Sequence, residues 1–170
     1  MYIALVGACL TGLAIRTRYE LMKRAGTLDT TNPRIFAVVF AGMAVMLLSW
    51  PFLASFDPLP LPPPEAVRWA GLASLVAGVA LAVGGLFQLR GLENVDHLVT
   101  SGLYSRLRHP MYAGFVAWIL GWVVFRGATV SFAVAILCIA NIQFWTRLEE
   151  MHLEARFGDS YAEYRKTTWF

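Results

Sequence analysis

Three stretches without a single charged residue dominate this chain: Ile35 to Leu53 with 19 residues, Trp69 to Leu89 with 21, and Gly127 to Thr146 with 20. Each reaches the roughly 20 residues a helix needs to cross the hydrocarbon core of a bilayer. Such runs exclude most water-soluble architectures, because a helix apolar all round has no face to turn toward water. Two shorter runs, Met1 to Ile15 and Met111 to Phe125, hold 15 residues each. Extended by flanking residues they too would span, with Arg126 snorkelling to the surface. The expected fold is all-α: a polytopic integral membrane protein of five transmembrane helices, forming a single domain over residues 1–170.

Only 15% of the 170 residues are charged, against about a quarter in soluble domains. The cations sit where orientation requires them. Arg16, Arg18, Lys23, Arg24 and Arg34 follow the first run, while the loop from Ala54 to Ala66 carries Asp57 and Glu65 and no cation. Arg90, Arg106 and Arg108 follow the third run, and Arg147, Arg156, Arg165 and Lys166 follow the fifth. By the positive-inside rule the N-terminus lies outside and the C-terminus in the cytoplasm. The first run lacks a basic leader and reads as a span, not a cleaved signal. The net charge of +3 is thus explained by topology, and no basic stripe with interleaved aromatics suggests nucleic acid.

Local signals mark the boundaries. Asn32-Pro33 supplies a cap and a first-turn proline. Pro58 to Pro64 forms a stiff extended connector. Small residues recur every fourth position at Ala70, Ser74, Gly78 and Ala82, and at Ala113, Ala117 and Gly121, a pattern for close helix packing. Cys9 and Cys138 read as small hydrophobes, and the three histidines are not spaced as metal ligands.

Two polar clusters flank the last apolar hairpin. One runs from Asp96-His97-Leu98-Val99 through Tyr104 to Arg108-His109-Pro110-Met111-Tyr112; the other holds Arg147, Glu149 and Glu150, then Phe157-Gly158-Asp159-Ser160-Tyr161. A hairpin that crosses and returns brings both to one membrane face, where clustered polar groups mark a site. The two glutamates follow an apolar helix, where the helix dipole disfavours negative charge. That conflict calls for a compensating cation, either Arg147 or Arg156 or a cationic ligand. Gly158 suits a helix C′ position, and Ser160-x-x-Glu163 has the form of a capping box.

These clusters resemble the isoprenylcysteine carboxyl methyltransferase family, with its wider relatives among the membrane phospholipid methyltransferases. The likeness rests on Leu98-Val99-Thr100-Ser101-Gly102-Leu103-Tyr104, Arg108 to Tyr112, Glu149-Glu150, and Phe157-Gly158 with Tyr161 and Tyr164. It implies S-adenosylmethionine as methyl donor, held by a region of about residues 88–166. Asp96, His97, Leu98, Val99, Tyr104, His109, Pro110, Met111, Tyr112, Glu149 and Glu150 would bind it, and a C-terminal helix would cover it as a cytoplasmic lid. The implied acceptor is lipophilic, most simply the carboxylate of an isoprenylcysteine-like molecule reached from the surrounding lipid. A carboxylate is ionised at neutral pH and needs a cation, Arg108 or Arg147, not a base. An amine or thiol acceptor would want a base instead, and His109 is nearest. Relatives close to the prenylcysteine enzymes carry a substrate-binding arginine four residues before the glutamate, where this chain has Trp145. A phospholipid amine or small thiol methyltransferase, or a non-enzymatic membrane protein on the same frame, are the alternative readings.

Overall fold

The computed structural model describes residues 1–29, 32–89 and 97–169. Six α-helices occupy them: α1 (Tyr2–Arg24), α2 (Pro33–Ser55), α3 (Glu65–Leu89), α4 (Pro110–Arg126), α5 (Thr129–Phe157) and α6 (Asp159–Thr167), with a 3₁₀ turn at Gly102–Ser105. Among the described residues there is no strand, only isolated bridges between Pro60 and Ala128 and between Leu107 and Trp169. Three helices, α2, α3 and α5, are long and apolar enough to cross a membrane. The 17-residue α4 is apolar but shorter, about 26 Å at 1.5 Å per residue. The last third of α1 carries Arg16, Arg18, Glu20, Lys23 and Arg24. Ile3, Val38, Leu48, Phe52, Val76, Phe87 and Ile136 are exposed, an apolar exterior suited to lipid.

The helix ends follow from local chemistry. Asn32 caps α2 by accepting from the Arg34 N–H at 3.0 Å, and Pro33 opens the helix as expected. Gly127 closes α4 in the left-handed region at φ 62°. A side chain there would strike the Leu61 carbonyl, and the Leu61 N–H donates to Gly127 O at 2.8 Å. The proline connector is thereby tied to the α4–α5 turn.

α5 has no cap of its own; Asp57 supplies it from the preceding loop. Its carboxylate accepts from Ser131 N–H and Ser131 Oγ at 2.6 Å each, and from Val130 N–H at 3.3 Å. Burial pushes the Asp57 carboxyl up, but the Ser131 hydroxyl and the backbone N–H donors outweigh it and hold the group below its ordinary value. Tyr2 joins this end through Ser131 Oγ at 3.1 Å. Gly158 ends α5 at φ 49°, but α6 starts directly after it without a side-chain cap bond, so the expected Ser160–Glu163 box does not form.

α3 and α4 make the closest helix pair, along glycines spaced by seven: Gly71, Gly78 and Gly85 against Gly114 and Gly121. Ser74 Oγ donates across to the Ala117 carbonyl at 3.0 Å. Ala70, placed in this stripe by its spacing, is exposed, and Gly71 takes its place. α1 packs on α2 and α5. There Trp145 Nε1 donates to Thr17 Oγ1 at 3.0 Å, and Thr17 donates to Asn141 at 3.2 Å. That partner satisfies an amide costly to leave bare among apolar helices. Cys9 and Cys138 face each other in the core, sulfurs 3.9 Å apart.

Candidate functional site

A cavity of about 440 Å³ opens between α1, α2, α4 and α5, within the size range of small-molecule sites. Its walls are largely apolar, with Leu13, Val39, Met43, Met46, Trp50, Phe115, Trp118 and Ile142 among them. Its polar groups collect toward one end: Arg16, Glu20, Lys23 and Arg24 from α1, Tyr112 from α4, and Glu149, His152 and Arg156 from α5.

α5 accounts for the carboxylates. It runs on to Phe157, so Glu149 and Glu150 lie in its interior, about two turns before the end at 3.6 residues per turn. The dipole acts mainly within the last turn. The expected conflict with the helix end is therefore absent. Compensation for Glu150 comes instead from Arg108, whose Nε donates to it at 2.9 Å, with the two side chains 16% and 21% exposed.

Arg108 is tied further. Its Nη1 donates to the Thr168 carbonyl at 2.9 Å, and its backbone N–H to Trp169 O at 2.9 Å. Tyr164 donates to the Tyr104 carbonyl at 2.6 Å, and Tyr104 to Gly85 O at 3.3 Å. Burial pushes the Tyr104 phenol well up and the Tyr164 phenol up to about 12. Together α6 and the last residues form a strap over residues 102–109. The helix expected as a lid contributes no side chain to the cavity among the described residues.

Glu149 is different. It is 42% exposed on the cavity, and its recorded ion-pair partner among the described residues is His109 Nδ1 at 3.9 Å. Burial lowers the His109 pKa; Glu149 and Glu150 oppose this but do not overcome it, so the ring is neutral at pH 7. Its Nε2 is buried without a hydrogen-bond partner, lying 3.6 Å from Glu150, beyond bonding distance. Glu149 is thus a carboxylate on the cavity with no lysine or arginine at ion-pair distance among the described residues.

The sequence-derived residues divide accordingly. Met111, Tyr112 and Glu149 line the cavity. Arg108, His109, Pro110, Tyr104 and Glu150 form the flank behind it, with His109, Pro110 and Tyr104 buried. His97 is exposed, Leu98 and Val99 are half-buried, and Asp96 lies outside the described residues. Arg147 is exposed on α5 and is not part of the cavity wall.

Sequence reasoning missed the α1 contribution. Arg16 is read there as a topology marker only, yet it forms a 2.6 Å ion pair with Glu20, the two side chains 15% and 13% exposed, against the cavity. The available signal was the spacing of Cys9, Leu13, Arg16, Glu20 and Lys23, which puts them on one helical face.

A family model described as phospholipid methyltransferase matches residues 68–160. Among curated proteins, the chain is 45% identical over 77 residues to a protein-S-isoprenylcysteine O-methyltransferase of Schizosaccharomyces pombe, covering 44% of this chain and 32% of that one. It is 39% identical over 74 residues to protein-S-isoprenylcysteine O-methyltransferase B of Arabidopsis thaliana, covering 42% and 37%. Against the Homo sapiens protein-S-isoprenylcysteine O-methyltransferase it is 30% identical over 119 residues, covering 60% and 40%. The chain thus spans about a third to two fifths of the length of these relatives. No solved structure matches it.

Proposed function

The chain belongs to the phospholipid methyltransferase family, and we propose that it is a membrane-embedded methyltransferase using S-adenosylmethionine. The acceptor is a lipophilic molecule bearing a carboxylate, of the isoprenylcysteine type that the relatives' names describe. The observation that carries this reading is the meeting of Tyr112 and Glu149 on one apolar cavity, from opposite ends of the hairpin sequence.

The residues fit the cofactor. Glu149, lacking an ion pair with lysine or arginine among the described residues, would hold the donor's α-ammonium, and the Tyr112 face suits a cation. When bound, S-adenosylmethionine would supply an electrophilic methyl group to the acceptor oxygen.

The protein's task is alignment and exclusion of water. α4 and α5 hold Tyr112 and Glu149 rigidly, and the apolar wall keeps the reacting pair dry. His109, neutral and buried, orients and does not titrate during transfer. Arg108 and Glu150 brace this frame through their mutual bond, with the strap behind them.

The full arrangement we infer is one unit of five membrane-spanning helices, surrounded by membrane lipids, with the N-terminus outside and the site facing the cytoplasm. Its support is the charge distribution: Asp57 and Tyr2 meet at one end, whereas Arg16, Lys23, Arg24, Arg108 and Arg156 gather at the other. The description of the family model favours one second reading, a phospholipid amine as acceptor.

The test is calorimetric titration of S-adenosylmethionine into detergent-solubilised protein, with Glu149→Gln beside it. Binding should weaken about 10- to 100-fold in the variant, from the loss of a charge-assisted bond, with melting of the free protein little changed. Equal loss of both would return Glu149 to a structural role. Incubation of labelled donor with farnesylcysteine analogues and with phosphatidylethanolamine then distinguishes the acceptors; label in the phospholipid alone refutes the carboxylate reading.

A further inference from the structure

Thirteen of the thirty residues lining the cavity come from α1 and α2, outside the residues 68–160 that the family model matches. The wall from α1 is not apolar throughout. Arg16 enters it next to Leu13, with its guanidinium carbon 5.4 Å from the Tyr19 ring centre and 6.0 Å from that of Trp145. One nitrogen, Nη2, is taken by Glu20 at 2.6 Å. Tyr112 and Glu149 line the same cavity as this guanidinium. Trp145 is itself fixed by its bond to Thr17, the residue after Arg16.

A guanidinium carries five donors in a planar fork. Beside the Tyr19 and Trp145 rings and held by Glu20, this one is oriented before any ligand arrives, so little entropy is lost when it binds. It also gives the cavity a second pole. Glu149 has no lysine or arginine at ion-pair distance among the described residues and suits a cation; Arg16 presents donors on the same cavity and suits an oxyanion. Resting on the reading above, we propose that Arg16 holds the carboxylate of the acceptor, so that α1 sets acceptor specificity while α4 and α5 hold the donor. The acceptor's apolar chain then lies along Val39, Met43 and Trp118, which share the cavity.

The experiment measures binding without any methyl donor, comparing N-acetyl-S-farnesylcysteine with its neutral carboxamide. Wild-type protein should prefer the acid about 10- to 100-fold, the range for charge-assisted hydrogen bonds. Arg16→Gln should bind acid and amide alike. Arg16→Gln leaves Glu20 unpaired and buried, so Arg16→Gln/Glu20→Gln is made beside it; this pair leaves no isolated charge and should lose the preference equally. Affinity for S-adenosylmethionine should not fall in either variant. Three results overturn the proposal: no preference in the wild type, recovery of the preference in the double variant, or a fall in cofactor affinity matching that for the acid. The last would move Arg16 to the donor's own carboxylate. A wild type that selects the acid but binds no S-adenosylmethionine would leave this assignment standing and remove the methyltransferase reading.

Discussion

Replacement of Arg108 by glutamine has a calculable outcome. The wild-type side chain makes a 2.9 Å bond to Glu150 and a 2.9 Å bond to the Thr168 carbonyl, with a longer one of 3.4 Å to the Arg165 carbonyl. An exposed ion pair contributes about 0–1 kcal/mol, but hydrogen bonds to charged groups contribute about 1.5–3 kcal/mol. Both partners here are four-fifths or so buried. Arg108→Gln forfeits the charged bonds and strands Glu150, whose next neighbour is a neutral His109 at 3.6 Å. The expected loss is about 3 kcal/mol, which lowers Tm by roughly 6–12 °C for a chain of this length. Glu150→Gln should cost only about 1 kcal/mol, because Arg108 keeps its backbone carbonyl partners. The double variant should melt above Arg108→Gln, giving a coupling of about 1–2 kcal/mol. The assay is thermal melting in detergent by intrinsic fluorescence, with Trp169 in the strap as local reporter. Equal losses in the two single variants, or strict additivity, would refute the tie between strap and helix and return Arg108 to the acceptor.

Asp57→Asn should lower stability by about 1–3 kcal/mol, because one amide cannot accept from both α5 N–H groups and the Ser131 hydroxyl; an unchanged melting point at neutral pH would refute the capping role. Gly114→Ala should cost about 1–3 kcal/mol, since the new methyl meets Ala82 N and the Gly78 carbonyl and neither backbone can yield. Gly7→Ala, with nothing within 4 Å, should be neutral or stabilising by up to about 1 kcal/mol in the same melts. His109 has a folded-state pKa below its ordinary 6.5, so the stability linked to it is full above pH 6.5. It falls as the pH drops from there toward the folded value, because the unfolded chain takes up the proton first. His109→Gln should flatten that slope in melts across pH 7 to 5, and an unaltered slope would locate the titration elsewhere.

Much of this arrangement is legible in the chain itself. The charge-free runs disclose α2, α3 and α5, and the matching clusters before α4 and within α5 foretell that Tyr112 and Glu149 converge. Helix ends are less legible. α1 and α5 continue well past their apolar runs to Arg24 and Phe157, because polar residues of good helix propensity continue a helix once it has left lipid. That extension moves Glu149 and Glu150 away from a helix end and changes their electrostatics. Arg108 illustrates a second limit. Its partners, Glu150 and Thr168, lie 42 and 60 residues away, and no local pattern signals such a pairing. Arg16 illustrates a third: a cation after an apolar run satisfies the topology rule at once, which masks the helical face it shares with Cys9, Leu13, Glu20 and Lys23.

The glycine seam between α3 and α4 has a mechanical corollary. Backbones in direct contact over a seven-residue repeat leave no side chains to shuffle, so these two helices move as one strut. α1 and α2 meet the remainder through bulkier and fewer interlocks, among them the bond from Trp122 Nε1 to the Pro51 carbonyl at 3.1 Å. Pro51 also interrupts the α2 ladder, lacking a donor of its own. Any breathing of the cavity wall therefore falls to the amino-terminal pair, while the strut stays still.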